Sequence, residues 1–178
     1  DGGAIMTNED DLAAKIKMIA NHGQSKRYYH DMVACNSRLD TLQAAVLEVK
    51  LKYLDDYIAA RQKVADYYDN AFAGNPHITV PARAEYSTHV FHQYTLILEG
   101  LDRNGLHVYL AAGNGPSMIY YPVPAHRQKM FENYNASSIH LTTTDWLTER
   151  VISLPMHTEM DEEQLHFITT NVLAFSKK

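Results

Sequence analysis

The apolar residues in the first part of the chain are spaced as in a strand followed by helices. Residues 2–7 are predicted to form a short buried strand after a glycine turn. The next apolar positions recur at helical spacing: Leu12, Ile16 and Ile19. Gly23 is placed to end that helix. Residues 40–72 contain neither Gly nor Pro, so they are predicted to form one long helix that bridges domains or supports an oligomer interface.

The segment between these two predicted helices, residues 23–37, is longer than the usual connection and mixes aromatic with polar side chains. Long ordered loops in compact domains often carry function. Two interpretations therefore remain open for this segment: it lines a ligand pocket, or it is a solvated surface loop.

Strand and helix patterns alternate through the rest of the chain. Strands are predicted at residues 77–80, 90–98, 117–121 and 151–154, and helices at 102–112, 126–134, 144–150 and 161–175. Strands separated by helices indicate an α/β or α+β layer, with the last helix packed on the sheet.

Composition and charge narrow the function classes. The chain is 46% apolar and 21% charged, which is typical of a folded globular protein rather than a disordered one. Its net charge is −5 and its longest basic cluster is Lys26-Arg27, so nucleic acid is not an expected partner. No apolar run suggests a membrane-spanning helix. The single cysteine, Cys35, is consistent with a reducing, cytoplasmic compartment.

Residue spacing alone does not identify a metal or nucleotide site. Ten histidines suggest a metal, but His89 and His92, three apart on a predicted strand, would point to opposite faces. No Gly-x-Gly-x-x-Gly, Walker-type or nucleophile-elbow pattern is present. No metal site is therefore predicted, and local patterns lead only to an α/β domain with a candidate functional loop.

Several segments together resemble a known family. They are Asp1-Gly-Gly-Ala-Ile-Met-Thr-Asn, His22-Gly-Gln, Asn36-Ser-Arg-Leu-Asp-Thr-Leu-Gln-Ala-Ala, Ser117-Met-Ile-Tyr-Tyr-Pro-Val-Pro and Ser153-Leu-Pro-Met-His. In this order they resemble the C-terminal half of the pyridoxal 5'-phosphate (PLP)-dependent sugar aminotransferases, the DegT/DnrJ/EryC1/StrS family. The resemblance implies an α/β type I aminotransferase fold. Residues 1–58 would then be the end of the large PLP-binding domain with the start of the long helix, and residues 59–178 a small α/β domain.

The resemblance also implies a reaction: an amino group moves from glutamate to a keto carbon of a nucleotide-linked sugar, in a cytoplasmic homodimer with shared active sites. The nearest subgroup acts on UDP-linked 3-keto-2-acetamido sugars, including glucuronates. The Schiff-base lysine is expected upstream of Asp1, so no catalytic residue is assigned among the nine lysines of this chain. The chain alone is expected to be inactive.

Two other functions stay open at this stage. Some relatives replace that lysine with histidine and are PLP-dependent nucleotide-sugar dehydratases, and the discriminating position precedes Asp1. A non-catalytic dimerisation or interaction fragment is the alternative of another class.

Two residues are predicted to bind ligands, and both belong to the central motif, the segment Asn36-Ser-Arg-Leu-Asp-Thr-Leu-Gln-Ala-Ala. By resemblance, Asn36 reaches the partner subunit's site and binds the PLP phosphate; its alternative is an Asx-type cap before the long helix. Arg38 is similar to an arginine near the sugar, where a guanidinium matches a carboxylate or diphosphate with two hydrogen bonds. Its alternative is an ion pair with Asp40 or Asp31.

Five further substrate-binding residues follow from the resemblance. Three belong to a loop that covers the nucleotide-sugar: Tyr28, Tyr29 and His30. The other two are Tyr120 and Tyr121, which a strand would point to opposite faces. Relatives often have histidine at the position of Tyr120.

Overall fold

A computed structural model describes residues 2–134 and 139–177. Asp1, the first residue of the first motif, lies outside the described residues. The chain divides into two compact units, Asp1–Leu54 and Asp55–Lys178. The assignment of residues 1–58 to a cofactor domain and of 59–178 to a small domain stays a prediction.

The first unit contains two helices and a small hairpin. Helix α1 spans Asp10–Ile19, strands β1 and β2 span Gln24–Lys26 and Tyr29–His30, and helix α2 spans Thr41–Leu51. The strands pair antiparallel within the predicted loop of residues 23–37. The prediction of a strand at residues 2–7 is wrong, because these residues are exposed and pair with no strand in the part of the chain that the structure describes.

The single long helix predicted for residues 40–72 is also wrong. A capping box between Asp40 and Gln43 starts α2, which ends at Leu51. Lys52 and Tyr53 form a turn before α3, Leu54–Phe72. The break needs no Gly or Pro, since two aspartates in the first turn of α3 favour a new helix start through the helix dipole.

The second unit is an antiparallel three-stranded sheet with helices. Its elements are α3, β3 (Ile78–Thr79), β4 (Tyr94–Leu98), α4 (Arg103–Ala112), 3-10 helices at Ala125–Arg127 and Lys129–Tyr134, α5 (Thr142–Thr148), β5 (Val151–Leu154) and α6 (Glu162–Phe175). The strand order is β3-β4-β5, with Tyr94 opposite Leu154 and Ile97 opposite Val151.

Three local predictions for this unit need correction. The strand predicted at 90–98 begins only at Tyr94, and the helix predicted at 126–134 is 3-10 rather than α. The strand predicted at 117–121 is reduced to a single bridge between Met118 and Ser153. Tyr121, with a φ of 55°, leaves the extended conformation that a longer strand requires.

The hydrophobic core of the second unit lies around the central strand β4. The fully buried side chains come from the sheet, α3, α4 and α6; among them are Tyr68, Phe72, Tyr94, Leu96, Leu98, Leu106 and Val172. Inside β4, residues 94, 96 and 98 are buried and residues 95 and 97 are half-buried, as the two-residue period of a strand requires. Sheet and helices therefore share one core, as the predicted α/β layer expects.

A buried tyrosine ties α3 to the chain after β5. The Tyr68 hydroxyl, in a fully buried side chain, donates to the Pro155 carbonyl at 2.9 Å. Burial raises the pKa of Tyr68. Burial also raises the pKa of Tyr94, whose hydroxyl donates to Asp69 at 2.5 Å. Both phenols are therefore held in their neutral form.

Replacing Tyr68 with phenylalanine is expected to lower the free energy of unfolding by about 1–3 kcal/mol, because the Pro155 carbonyl loses its donor. In the wild type, the stabilisation of the neutral phenol is present below the unfolded pKa of about 10 and is lost as the pH rises above it. Urea denaturation at a series of pH values across this range should show that the free energy of unfolding falls less in Tyr68→Phe than in the wild type. The exposed Tyr86→Phe is the control; an equal pH dependence in Tyr68→Phe and wild type would contradict the assignment.

Across residues 2–134 and 139–177, none of the helices combines the length and apolar character needed to cross a bilayer.

Candidate functional site

In the first unit, the segment that carries Asn36 and Arg38 is held against the end of α1. Three backbone hydrogen bonds join residues 20–23 to residues 31–37. The Asp31 N–H donates to the Gly23 carbonyl at 2.9 Å, the His22 N–H to the Cys35 carbonyl at 2.8 Å, and the Ser37 N–H to the Ala20 carbonyl at 2.9 Å. Paired backbone of this kind fixes the direction of the side chains between the bonds. The ligand-binding candidates of the central motif therefore stand on an ordered segment.

Asn36 is exposed and forms an antiparallel bridge with Asn21. Within the described part of the chain its side-chain amide has no hydrogen-bond partner. The alternative role as a helix cap is not formed, because Asp40 occupies the N-cap of α2 and accepts from the Leu42 N–H at 2.8 Å. The Asn36 amide is thus available as a donor toward solvent.

Arg38 is exposed and its Nη1 donates to the Asn21 side-chain oxygen. The ion pair considered as its alternative does not form: among the described residues, neither Asp31 nor Asp40 pairs with Arg38. Asn21 holds one edge of the guanidinium, so the charge stays uncompensated while its orientation is restricted. A fixed, unpaired guanidinium suits a two-pronged contact with a carboxylate or phosphate.

Sequence reasoning missed Asn21, which contacts Arg38 and pairs with Asn36. The contact joins residues 17 positions apart, and no local periodicity marks it. The only sequence signal is its place directly before the His22-Gly-Gln motif.

The hairpin presents two tyrosine rings to solvent, each beside a cation. The Arg27 guanidinium lies 5.0 Å from the centre of the Tyr28 ring, and the Lys26 ammonium lies 5.6 Å from that of Tyr29. Tyr28 has a φ of 70°, in the left-handed region. The segment is therefore an ordered, solvent-exposed hairpin that carries two aromatic rings.

Gly23 and His30 hold the base of this hairpin. Gly23 has a φ of 71°, and a Cβ there would lie 1.9 Å from the Met32 carbonyl oxygen, so the close approach requires glycine. His30 Nδ1 lies 2.8 Å from the His22 carbonyl oxygen and donates to it. The exposed rings of Tyr28 and Tyr29 are therefore carried on an anchored turn.

A cavity of about 660 Å³ lies inside the first unit, beside Arg38. Its lining also includes Gly2, Gly3, Ser37 and Gln43. This volume falls in the range of small-molecule pockets. The cavity is thus large enough to take part of a ligand next to the guanidinium.

Tyr120 and Tyr121 belong to the second unit, so they are described separately from the five other predicted residues. Tyr120 is 41% exposed and borders a cavity of about 180 Å³ with His92, Gln93 and Met118. Tyr121 is 82% exposed with a φ of 55°. The predicted alternation of faces does not apply, because no strand extends over this pair. A separate cavity of about 570 Å³ along α6 is lined by none of the predicted site residues.

Solved structures define the class of fold. An aminotransferase of the DegT DnrJ EryC1 StrS type from Brucella abortus is 32% identical, with a TM-score of 0.85 over 97% of this chain and 45% of that one. S. venezuelae DesV, solved in complex with a ketimine intermediate, is 28% identical, with a TM-score of 0.86 over 97% of this chain and 46% of that one. The chain therefore has the fold of part of a sugar aminotransferase. The predicted fold class is confirmed.

The chain belongs to the DegT/DnrJ/EryC1/StrS aminotransferase family, whose model matches residues 1–173. The UDP-2-acetamido-2-deoxy-3-oxo-D-glucuronate aminotransferase of Pseudomonas aeruginosa is 40% identical over 94% of this chain and 45% of its own length. The UDP-N-acetyl-3-dehydro-alpha-D-glucosamine 3-aminotransferase of Acidithiobacillus ferrooxidans is 38% identical over 96% and 45%. The chain spans about half the length of the curated relatives it matches, in their second half. The predicted family is confirmed.

Proposed function

We propose that the full-length protein is a PLP-dependent aminotransferase that moves an amino group from glutamate to a keto carbon of a nucleotide-linked sugar, in amino-sugar synthesis for a surface polysaccharide. The single observation that carries the proposal is the pair of ligand donors on one anchored segment. Among the described residues, the Asn36 amide has no hydrogen-bond partner, and the Arg38 guanidinium is oriented by Asn21 without a compensating carboxylate. The family membership supports the same reaction.

The donor chemistry of this segment fits the phosphate of PLP. A phosphate offers only acceptor oxygens and negative charge, and Asn36 and Arg38 offer N–H donors and positive charge. Asn36 would hold the phosphate in the partner subunit's site. When bound, PLP supplies the electron sink for breaking and forming the bonds at the amino-bearing carbon.

Other residues of the chain would act on the sugar substrate. Arg38 would orient a sugar carboxylate or the diphosphate by two parallel hydrogen bonds. The hairpin tyrosines, Tyr28 and Tyr29, with His30 would cover the nucleotide-sugar and exclude water. Tyr120 and Tyr121 would contact the same class of substrate from the second unit. The lysine that binds the cofactor covalently is assigned to none of the lysines present.

The nucleotide is proposed to be UDP and the sugar a 3-keto-2-acetamido sugar, as the names of the two relatives from Pseudomonas and Acidithiobacillus indicate for those proteins. The uncompensated charge of Arg38 supports a substrate carrying a carboxylate or diphosphate. We place the enzyme in the cytoplasm as a homodimer with shared sites. The exposed, free Cys35 is compatible with that reducing compartment.

The test is α-ketoglutarate release by the full-length protein with PLP, glutamate and a panel of UDP- and dTDP-linked keto sugars. Release that depends on both glutamate and a keto sugar supports the proposal. Loss of water from the sugar without glutamate consumption would establish the dehydratase instead. No conversion of any sugar, in protein that binds PLP, would favour the non-catalytic interaction role.

In the same assay, Asn36→Ala is expected to require about tenfold more PLP for half-maximal activity, because a hydrogen bond to a charged phosphate is lost. Glutamate and sugar dependence at saturating PLP should change little. Asn70→Ala is a matched control: its amide belongs to the second unit, where it donates to the Asp66 carbonyl on α3 at 2.8 Å. Equal PLP requirements for Asn36→Ala and wild type would remove Asn36 from the cofactor site.

A further inference from the structure

The second unit contains a partly buried charge cluster that the proposed reaction does not use directly. Asp145 on α5 accepts from Arg127 Nη2 at 2.6 Å through Oδ2. Its other oxygen, Oδ1, lies 3.5 Å from His126 Nε2. The His126 side chain is only 8% exposed and that of Asp145 26%. Neither facing atom, Nε2 nor Oδ1, has a hydrogen-bond partner among the described residues.

The carboxylate thus holds Arg127 of the 3-10 turn through Oδ2 and places Oδ1 beside the neighbouring residue, His126. The Arg127 side chain is 56% exposed, so its ion pair with Asp145 is screened by water and adds little net stability. The effect of such a cluster is mainly to fix geometry. Here it fixes the turn Ala125–Arg127 to α5.

The fixed turn is linked to Tyr121 by a stiff connection. Three residues lie between Tyr121 and the turn: Pro122, Val123 and Pro124. Each proline locks its own φ and restricts the residue before it. The Gln128 amide also donates back to the Val123 carbonyl at 3.2 Å. A displacement at the Asp145 cluster is therefore passed along the chain rather than absorbed.

The other end of the tyrosine pair is held as well. Met118 exchanges two backbone hydrogen bonds with Ser153 of β5, at 3.0 and 2.8 Å, and the Ser117 hydroxyl lies 2.8 Å from His107 Nδ1. Tyr121 itself has a φ of 55° directly before a proline, a strained conformation for a residue with a side chain. Such a conformation persists only when both flanks determine it.

We propose that Asp145 is a positioning residue: by holding Arg127 beside His126 it fixes Tyr120 and Tyr121 in the orientation that binds the nucleotide-sugar. This role rests on the proposed function, in which the two tyrosines contact that substrate. Asp145 touches neither substrate nor cofactor in this account. Its effect on the reaction passes through the tyrosines.

The test compares Asp145→Asn with Glu149→Gln in the full-length enzyme. Glu149 is an exposed carboxylate at the end of the same helix, paired only with its neighbour Arg150 among the described residues, so it controls for loss of charge near α5. Asp145→Asn should raise KM for the UDP-linked keto sugar about tenfold, because a small misplacement of a binding group is costly. The glutamate half-reaction and Glu149→Gln should stay within about twofold of wild type.

Repeating Asp145→Asn in a Tyr120→Ala/Tyr121→Ala background distinguishes a role through the tyrosines from a merely structural role. If Asp145 acts through the tyrosines, the substitution adds no further rise in KM there, since coupled residues are not additive. Arg127→Met, at a half-exposed side chain, serves as a second variant if Asp145→Asn does not fold, and should give the same KM pattern.

Three outcomes would overturn the proposal. They are an unchanged KM in both Asp145→Asn and Arg127→Met, an equal loss of rate in the two half-reactions, and a full rise in KM when Asp145→Asn is made in the Tyr120→Ala/Tyr121→Ala background. Trypsin cleavage after Arg127 measures, independently of activity, whether Asp145 still holds this residue. Cleavage should be faster in Asp145→Asn than in Glu149→Gln. If wild type aminates no nucleotide-sugar at all, the proposed function fails and the substrate role of Asp145 with it, whatever trypsin shows.

Discussion

Replacing Arg38 with alanine in the full-length protein will lower kcat/KM for the nucleotide-linked keto sugar by about 10- to 100-fold. The glutamate half-reaction will stay within about twofold of wild type. The reason is that the guanidinium is assigned to the sugar and not to the amino donor. Asn21 orients it, and no carboxylate in the described part of the chain pairs with it. Rapid-mixing measurements of each half-reaction by cofactor absorbance separate the two effects.

Two variants control the Arg38 experiment. Arg38→Lys keeps the charge but loses the planar fork, so it should recover only part of the lost activity. Lys15→Ala removes an exposed cation from α1 in the same unit and should change neither half-reaction. Equal losses in both half-reactions for Arg38→Ala would reject a substrate role for this residue.

Replacing Leu96 with alanine will lower the free energy of unfolding of the second unit by about 2–5 kcal/mol. Leu96 is fully buried at the centre of β4, the middle strand of the sheet, where lost contacts and the cavity left behind both contribute. Against a typical total of about 5–15 kcal/mol, this is a large fraction. The measurement is urea denaturation followed by circular dichroism.

Val108→Ala is the matched control for the core experiment. Val108 lies on α4 of the same unit and is 65% exposed, so its truncation should cost less than about 0.5 kcal/mol. Similar denaturation midpoints for Leu96→Ala and Val108→Ala would contradict a core centred on β4.

Local sequence signals predicted the bounds of α4 and α6 closely. Asp161 caps α6, where its side chain accepts from the Gln164 N–H, and Gly113 follows the last residue of α4; both signals depend on a few neighbouring residues. The signals failed where distant partners decide. Residues 2–7 are apolar but find no strand partner, and the turn at Lys52 and Tyr53 has no Gly or Pro to announce it.

The candidate site was predictable only in part, for the same physical reason. Asn36 and Arg38 were found through a motif that resembles a family, whereas Asn21, which orients Arg38, is joined to it by a contact across 17 positions. The cluster around Asp145 likewise joins residues 18 positions apart. Such contacts depend on how the chain folds back on itself, which periodicity and spacing do not encode.

Amino transfer from glutamate to the sugar is tested most directly by tracing the nitrogen atom from one to the other. The full-length protein is incubated with PLP, glutamate carrying a heavy nitrogen isotope, and a UDP-linked 3-keto-2-acetamido sugar, and the nucleotide-sugar product is weighed by mass spectrometry. We expect an amino sugar that carries the heavy nitrogen, and much less of it from Arg38→Ala. A product that has lost water and contains no label, or an unchanged keto sugar, would contradict it.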